Sequence, residues 1–286
     1  MQNIITNAMS VDVEDYFQVS AFEKHIDKRD WASLPQRVAQ NTQRILDLFA
    51  QHNVKATFFT LGWVAERNPA LIRRIVDAGH ELASHGYEHI RVSEQSAEQF
   101  RQDLRKTQHI LQDISGQQIT GYRAASYSIG AKNLWALDVL EEEGFQYSSS
   151  IYPIKHDLYG IPDAPRFKFK PTAQQKLVEI PVTTFRLGEK NIPCGGGGFF
   201  RLYPYALSKA AFKYINAREQ QPGLFYFHPW EIDPQQPKQT ALGLKTRFRH
   251  SLNLERMEGR LNHLLRDFKW DTMQAVFIDQ AAGVDQ

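Results

Sequence analysis

The chain has a single cysteine, Cys194, among its 286 residues. One thiol excludes an internal disulfide and any zinc site built on thiolates. An excess of either charge is also missing: 34 basic residues against 32 acidic ones leave a net charge of +2. No basic stripe interleaves with aromatics, so no nucleic-acid partner is expected. No run approaches the ~20 apolar residues that a membrane-spanning helix requires. Residues 1–12 do not pair a basic segment with an apolar run, the pattern of a secretory signal, and the expected location is the cytoplasm. Internal repeats are absent. Aromatics, at 12%, are on the rich side; their faces suit sugar rings and ordinary cores alike.

What the sequence does contain is alternation. Residues 8–13 read as a strand running into carboxylates. Residues 36–51 read as a helix, with Val38, Ile45, Leu46 and Phe49 near helical spacing. Strands are expected over 56–61, 80–84, 119–123, 145–149 and 224–228. Helices are expected between Pro69 and Gly79, over 96–115 and over 133–143, with proline in the first turn and glycine past the end where the caps require them. Strand and helix at this pace imply parallel strands with right-handed crossovers. The polar candidates cluster where strands end, which favours a barrel-like arrangement with its site at the C-terminal rim. Residues 152–204 form a proline-rich elaboration with one strand over 177–182. Its tract Gly195-Gly196-Gly197-Gly198 reads as a flexible loop. Further helices are expected over 204–216 and 254–268.

Four groups carry chemistry. His85-Gly86-Tyr87-Glu88-His89 follows a strand directly, and two imidazoles four residues apart reach one ion where the backbone turns helically. Alone, this spacing is more often two surface histidines on a turn. Asp12-Val13-Glu14-Asp15 puts three mutually repelling acids at a strand end, which a cation would relieve; an acidic helix cap is the ordinary alternative. Glu14 shares a face with Asp12 if the strand continues, whereas Asp15 is the better ligand if it breaks after Val13. Two histidines and one carboxylate leave a position open for water, the pattern of catalytic metals. His228 ends an apolar strand and suits a general acid, or equally a core histidine bonded to backbone. Arg123 suits a bidentate clamp on a carboxylate, or an ordinary ion pair.

Together these segments resemble the polysaccharide deacetylase family, also called the NodB homology domain or carbohydrate esterase family 4. The resemblance runs from about Met9 to about Trp230, with five segments in the family's order. It is nearest the branch found beside exopolysaccharide and exosortase gene clusters, whose members carry strings like SVDVEDYFQV, HGYEH, YRAASYSI, HDLYGIPDAPR and FHPWEID. The resemblance implies an α/β fold, a distorted (β/α) barrel of about seven parallel strands over residues 1–234, with residues 235–286 as a C-terminal extension packed on the same domain. It implies a metal-dependent N-deacetylase that releases acetate from an N-acetylhexosamine unit of a polysaccharide or its precursor. Asp12 matches the base, Arg123 the arginine that orients it, and His228 the general acid. His85 and His89 match metal ligands, with Glu14 or Asp15 as the third. The backbone near Ser126 and Tyr127 matches the oxyanion and substrate contacts. One divalent ion is expected, zinc first, with cobalt, nickel or manganese as alternatives. A cytoplasmic enzyme of this kind would meet sugar nucleotides, or lipid-linked units beside polysaccharide-synthesis machinery at the inner membrane face. A cyclic-amide hydrolase and a non-catalytic glycan-binding protein are the competing readings.

The sequence departs from the family pattern at three points. Val13 separates the usual adjacent aspartates. Ala125 stands where the family has proline, which loosens that loop. Tyr147-Ser148-Ser149-Ser150 lacks the aspartate that tunes the acid histidine. Without it, His228 is expected to have a lower pKa, with Asp157 as a substitute. Trp63, Trp230 and Tyr127 are candidates to stack on sugars.

Overall fold

In the computed structural model, which describes residues 4–156, 160–238 and 243–279, the first strand β1 (Thr6–Val13) is buried at every position after the first. A strand covered on both faces belongs inside a parallel sheet. The chain continues through α1 (Val38–His52), β2 (Thr57–Thr60), α2 (Gly62–Arg67), α3 (Pro69–Asp77), β3 (Glu81–Ser84), α4 (Ala97–Ser115), β4 (Gly121–Tyr122), α5 (Trp135–Glu142), β5 (Tyr147–Ser148) and β6 (Val178–Glu179). A hairpin of β7 (Thr184–Leu187) and β8 (Lys190–Pro193) follows, then α6 (Gly197–Leu202), α7 (Tyr205–Ala217), β9 (Leu224–Phe227), α8 (Leu244–Ser251), α9 (Leu254–Asp267) and β10 (Lys269–Asp271).

Seven strands lie side by side in the order β10-β1-β2-β3-β4-β5-β6, and β9 pairs with β1 as well. Every pairing in this sheet is parallel. The helices α1, α3 and α4 bury apolar stripes such as Val38, Ile45 and Phe49 of α1 against its outer face. The ring between β6 and β9 closes irregularly. Thr183 bridges it: its carbonyl accepts the Gly195 N–H at 3.0 Å, and its Oγ1 accepts the Leu224 N–H at 2.5 Å. The Tyr226 N–H in turn donates to the Gly195 carbonyl at 2.8 Å. The molecule is therefore a distorted (β/α) barrel, as the alternation of strands and helices leads one to expect.

The glycine tract is part of that closure and not a flexible loop. A Cβ on Gly195 would lie 2.4 Å from the Leu224 carbonyl oxygen, and one on Gly196 2.7 Å from the Tyr226 ring. No real Cβ sits so close to its neighbours, so only glycine lets the two backbones meet. Of the described residues after 234, β10 joins the same sheet and α9 its core. β10 pairs with Thr6, Asn7 and Ala8 of β1, and α9 buries Leu254, Met257, Leu261, Leu264 and Leu265. Among the described residues, no helix is long and apolar enough to cross a membrane.

Candidate active site

The acids at the end of β1 separate by direction. Past Val13 the strand breaks, and the Glu14 N–H folds back onto the Asp12 carbonyl at 3.0 Å, closing a three-residue turn. Asp12 and Glu14 thereby stay together at the barrel mouth. Asp15 leaves it: its Oδ2 accepts the N–H groups of Arg37 and Val38 at 2.6 and 2.8 Å. Those are orphan donors of the first turn of α1, and Asp15 caps them from a distance. Although the strand does break after Val13, Glu14 and not Asp15 is the acid that meets the histidines.

Asp12 Oδ1 accepts Arg123 Nη1 at 2.5 Å, with both residues buried. The guanidinium is fixed from every side. Nη1 also reaches Ser10 Oγ at 2.9 Å, and Nη2 reaches Ser149 Oγ at 3.1 Å. Its Cζ lies 4.0 Å from the Phe59 ring centroid. Arg123 is therefore a buried orienting clamp on Asp12 and not a surface ion pair.

Glu14, His85 and His89 offer one ligand atom each within 4.8 Å of one another. His85 Nδ1 is 2.8 Å from the Arg123 carbonyl; as donor there, it leaves Nε2 with a lone pair. Burial pushes the pKa of His85 down and that of His89 well below the ordinary value. Neutral imidazole is the form that binds metal. Burial pushes the Glu14 carboxyl up to about 7, and its buried Oε2 has no hydrogen-bond donor among the described residues although His89 Nε2 is 3.1 Å away. An under-satisfied buried carboxylate oxygen facing two neutral imidazoles fits a divalent cation. The backbone reinforces the arrangement: Gly86 (φ 76°) and His89 (φ 53°) both lie in the left-handed region, an uncommon choice for histidine that here turns its ring back towards His85.

His228 Nε2 is 3.4 Å from Glu14 Oε1 and 3.9 Å from Asp12 Oδ2. Its other nitrogen, Nδ1, is 2.8 Å from Glu231 Oε1. Burial alone would push its pKa down, but Glu14, Glu231 and Asp12 overturn that and raise it to about 9. The expected lowering is thus reversed, by Glu14 first and then by Glu231, a carboxylate three residues downstream that stands in for the missing aspartate. Glu231 is itself held by Arg201, Nε to Oε2 at 2.7 Å. Burial would raise its pKa, but Arg201 and His228 bring it down to about 2. Asp157 lies outside the described residues. Glu231 was legible in principle: it stands three residues after His228 and its Oε1 accepts the His228 N–H at 3.1 Å, the capping-box spacing.

The loop after Arg123 is tight in spite of Ala125. Ser150 Oγ accepts the Ala124 N–H at 2.9 Å, and the left-handed residues Ser126 (φ 54°) and Tyr127 (φ 50°) follow each other. The Tyr127 N–H donates to the Ala124 carbonyl at 3.0 Å. The Ser126 hydroxyl meets that of Ser20 across the mouth. Asp12, Glu14, His85, His89, Ser126 and His228 share one cavity of about 160 Å³. Of the aromatic candidates, Trp230 and Tyr127 line this cavity and Trp63 does not. Trp63 is core, edge-on to Trp31 and Phe17. Trp230 stacks with His228 and with His250, at ring distances of 5.2 and 4.3 Å. Tyr127 is packed edge-on to Tyr152 and Tyr226.

Comparison with known proteins gives two family matches. Residues 30–148 match the polysaccharide deacetylase family, and residues 149–278 match a domain of unknown function, DUF3473. The two matches meet between residues 148 and 149. A peptidoglycan-N-acetylglucosamine deacetylase of Bacillus cereus is 41% identical over 75 residues, which is 26% of this chain and 27% of that protein. The chain thus aligns with about a quarter of that relative's length. Among solved structures, a Mycobacterium smegmatis protein described as a polysaccharide deacetylase superposes with a TM-score of 0.63 at 19% identity, covering 99% of this chain and 93% of that one. An allantoinase superposes at 0.56 and 17% identity, covering 93% and 86%. At these identities the superpositions speak for the fold alone. His85, His89 and Arg123 fall in the first match, His228 and Glu231 in the second, and Asp12 and Glu14 before both. The chain carries a polysaccharide deacetylase domain over residues 30–148, which runs into DUF3473 without a break in the barrel.

Proposed function

We propose that this protein is a metal-dependent carbohydrate N-deacetylase that hydrolyses the acetamide of an N-acetylhexosamine unit. One observation carries the reading: Asp12, clamped by Arg123, stands beside the Glu14–His85–His89 group and 3.9 Å from His228, all in one cavity. A base, an acid and a ligand set converge on a space that admits a small acyl group. The names of the relatives, peptidoglycan-N-acetylglucosamine deacetylase and chitooligosaccharide deacetylase among them, support the same bond.

Glu14, His85 and His89 would hold the ion, and two nitrogens with one oxygen suit zinc first. When bound, such an ion polarises the acyl carbonyl and lowers the pKa of water. The residues supply the rest. Asp12 Oδ2, left open by the clamp on Oδ1, takes the proton of the attacking water. Water oxygen adds to the acetamide carbon, and His228 Nε2 delivers a proton to the nitrogen as the C–N bond breaks. Acetate and the free amine leave. Glu231 keeps the His228 Nδ1 proton in place, so Nε2 is the nitrogen that faces the substrate.

The test is acetate release from an N-acetylglucosamine oligomer by the zinc-loaded chain, compared with Asp12→Asn. Asparagine preserves shape and removes the base, so a fall of about 10²–10⁴ in kcat is expected. Acetate release unaffected by Asp12→Asn would end the proposal. Turnover of a cyclic amide without acetate would move the chemistry to another bond on the same groups.

A further inference from the structure

Helix α8 departs from the way short helices are usually held. A helix of eight residues is too short to stand alone in water and gains its stability from a buried apolar stripe. None of the described side chains of α8 is buried. The helix is tied down by its backbone instead: Arg201 Nη1 donates to the His250 and Leu252 carbonyls at 2.9 and 2.7 Å. Its largest apolar side chain, Phe248, is 60% exposed. Lys245 stands three residues before Phe248 and four before Arg249, so the three share one face. Both cations are exposed.

Charge around this helix is of one sign. Residues 234–254 contain Lys238, Lys245, Arg247 and Arg249 and no acid. None of the four pairs with a carboxylate among the described residues. Of the two acids that bound the stretch, Asp233 is held by Arg37 at 2.8 Å, which leaves the exposed Glu255 against four cations. Lys238 and Arg247 border a cavity of about 250 Å³ beside the helix, and no acid lines it. Cations gathered without counter-charge call for an anionic partner. The outward ring says which. An aromatic side chain gains nothing from a soluble anion, but in the headgroup layer of a bilayer it leaves water. One such ring among the cations offers no run on which bases could stack. The helix also lies next to the candidate site: the His250 ring stacks on Trp230 at 4.3 Å, and Trp230 lines the active-site cavity.

We infer that α8 is a docking face for an anionic phospholipid surface. Lys238, Lys245, Arg247 and Arg249 meet the headgroups, Phe248 inserts between them, and the barrel mouth is brought beside the membrane. The inference does not depend on which bond the site hydrolyses, and its test measures binding without turnover. The full chain is sedimented with vesicles of phosphatidylcholine alone and with vesicles that are half phosphatidylglycerol. Each cation near an anionic surface contributes about fivefold to partitioning, so the anionic vesicles should bind about tenfold or more tighter, and less so as salt is raised. Arg247→Gln with Arg249→Gln should weaken that binding about ten- to thirtyfold, and Phe248→Ser about three- to tenfold. Lys213→Gln with Arg218→Gln removes the same charge from α7 and should leave binding unchanged. All five side chains are exposed. Thermal melts identify a variant that fails to fold, and the other α8 variant then decides. No binding, equal binding to both vesicles, unchanged binding of the α8 variants, or an equal loss in the α7 pair overturns the docking face. So does binding to soluble poly-L-glutamate that matches the anionic vesicles and ignores Phe248→Ser, which would make α8 a site for a soluble polyanion.

Discussion

His228 stands between two carboxylates that serve it differently. Glu14, at 3.4 Å from Nε2, belongs to the candidate ligand group, so its charge would be shared with a cation held there. Glu231, at 2.8 Å from Nδ1, is paired with Arg201 and stays with the histidine. A general acid must be protonated, so activity falls as pH rises through its pKa. Glu231 raises that pKa. In Glu231→Gln the alkaline limb of the kcat–pH profile should therefore move to lower pH, with a drop in kcat. Arg201, 2% exposed, then loses a buried charge partner, and removing one member of such a pair costs about 3–5 kcal/mol. The two effects are separable, because a stability loss alone leaves the limb where it was; a limb at the parent position would show that Glu231 only holds the fold. Glu231 escaped the sequence reading because the family pattern directs attention to the end of β5, where Ser148 now stands. Ser10 and Ser149, which share in holding Arg123, escaped for a simpler reason: one serine in a buried strand looks like any other until its partner is placed.

Among the elements, α6 was the hardest to foresee, since it begins inside four consecutive glycines. Glycine costs a helix about 1 kcal/mol per residue relative to alanine, so propensity argues for a loop. Packing overrides it. A Cβ on Gly197 would lie 2.3 Å from Glu231 Oε1, whereas a Cβ on Gly198 meets nothing within 4 Å. The two neighbours should answer oppositely to the same change. Gly197→Ala should cost about 1–3 kcal/mol from overpacking and lower activity by displacing Glu231 from His228. Gly198→Ala should melt at or slightly above the parent temperature with activity intact, as helix propensity dictates. Equal behaviour of the pair would show that the contact with Glu231 does not set the path of α6. The β7–β8 hairpin was missed for the opposite reason: its strands are half-exposed, without a buried alternating face. By contrast β2 announced itself through its apolar centre, Phe58-Phe59, and α4 through a capped amphipathic stripe.

At the scale of the molecule, the first 148 residues could be read because each buried strand and each helix stripe is local. In the second half β6, α7, β9 and α9 fall where strand and helix patterns put them, but other elements could not be read, because they acquire meaning from distant partners. β10 is three residues, Lys269-Trp270-Asp271, with no strand-like pattern of its own, yet it lies along β1. Just past it, the Met273 N–H donates to Thr57 Oγ1 at 2.7 Å and the Gln274 N–H to Glu81 Oε2 at 3.0 Å. Met273 Sδ lies 3.8 Å from Arg123 Nη2, so this tail walls the clamp that orients Asp12. A chain ending at Pro234 would keep every candidate catalytic residue and lose this wall. It would also expose what Leu254, Met257, Leu261, Leu264 and Leu265 cover. At ~1.5–3 kcal/mol per buried aliphatic side chain, the loss is on the order of 10 kcal/mol, comparable to the whole stability of a typical domain, about 5–15 kcal/mol. The truncated chain should therefore show no cooperative urea transition by circular dichroism and no acetate release. A soluble fragment of residues 1–234 with a sharp transition and parental activity would mean that the barrel closes without β10, and that the last fifty residues serve something other than the core.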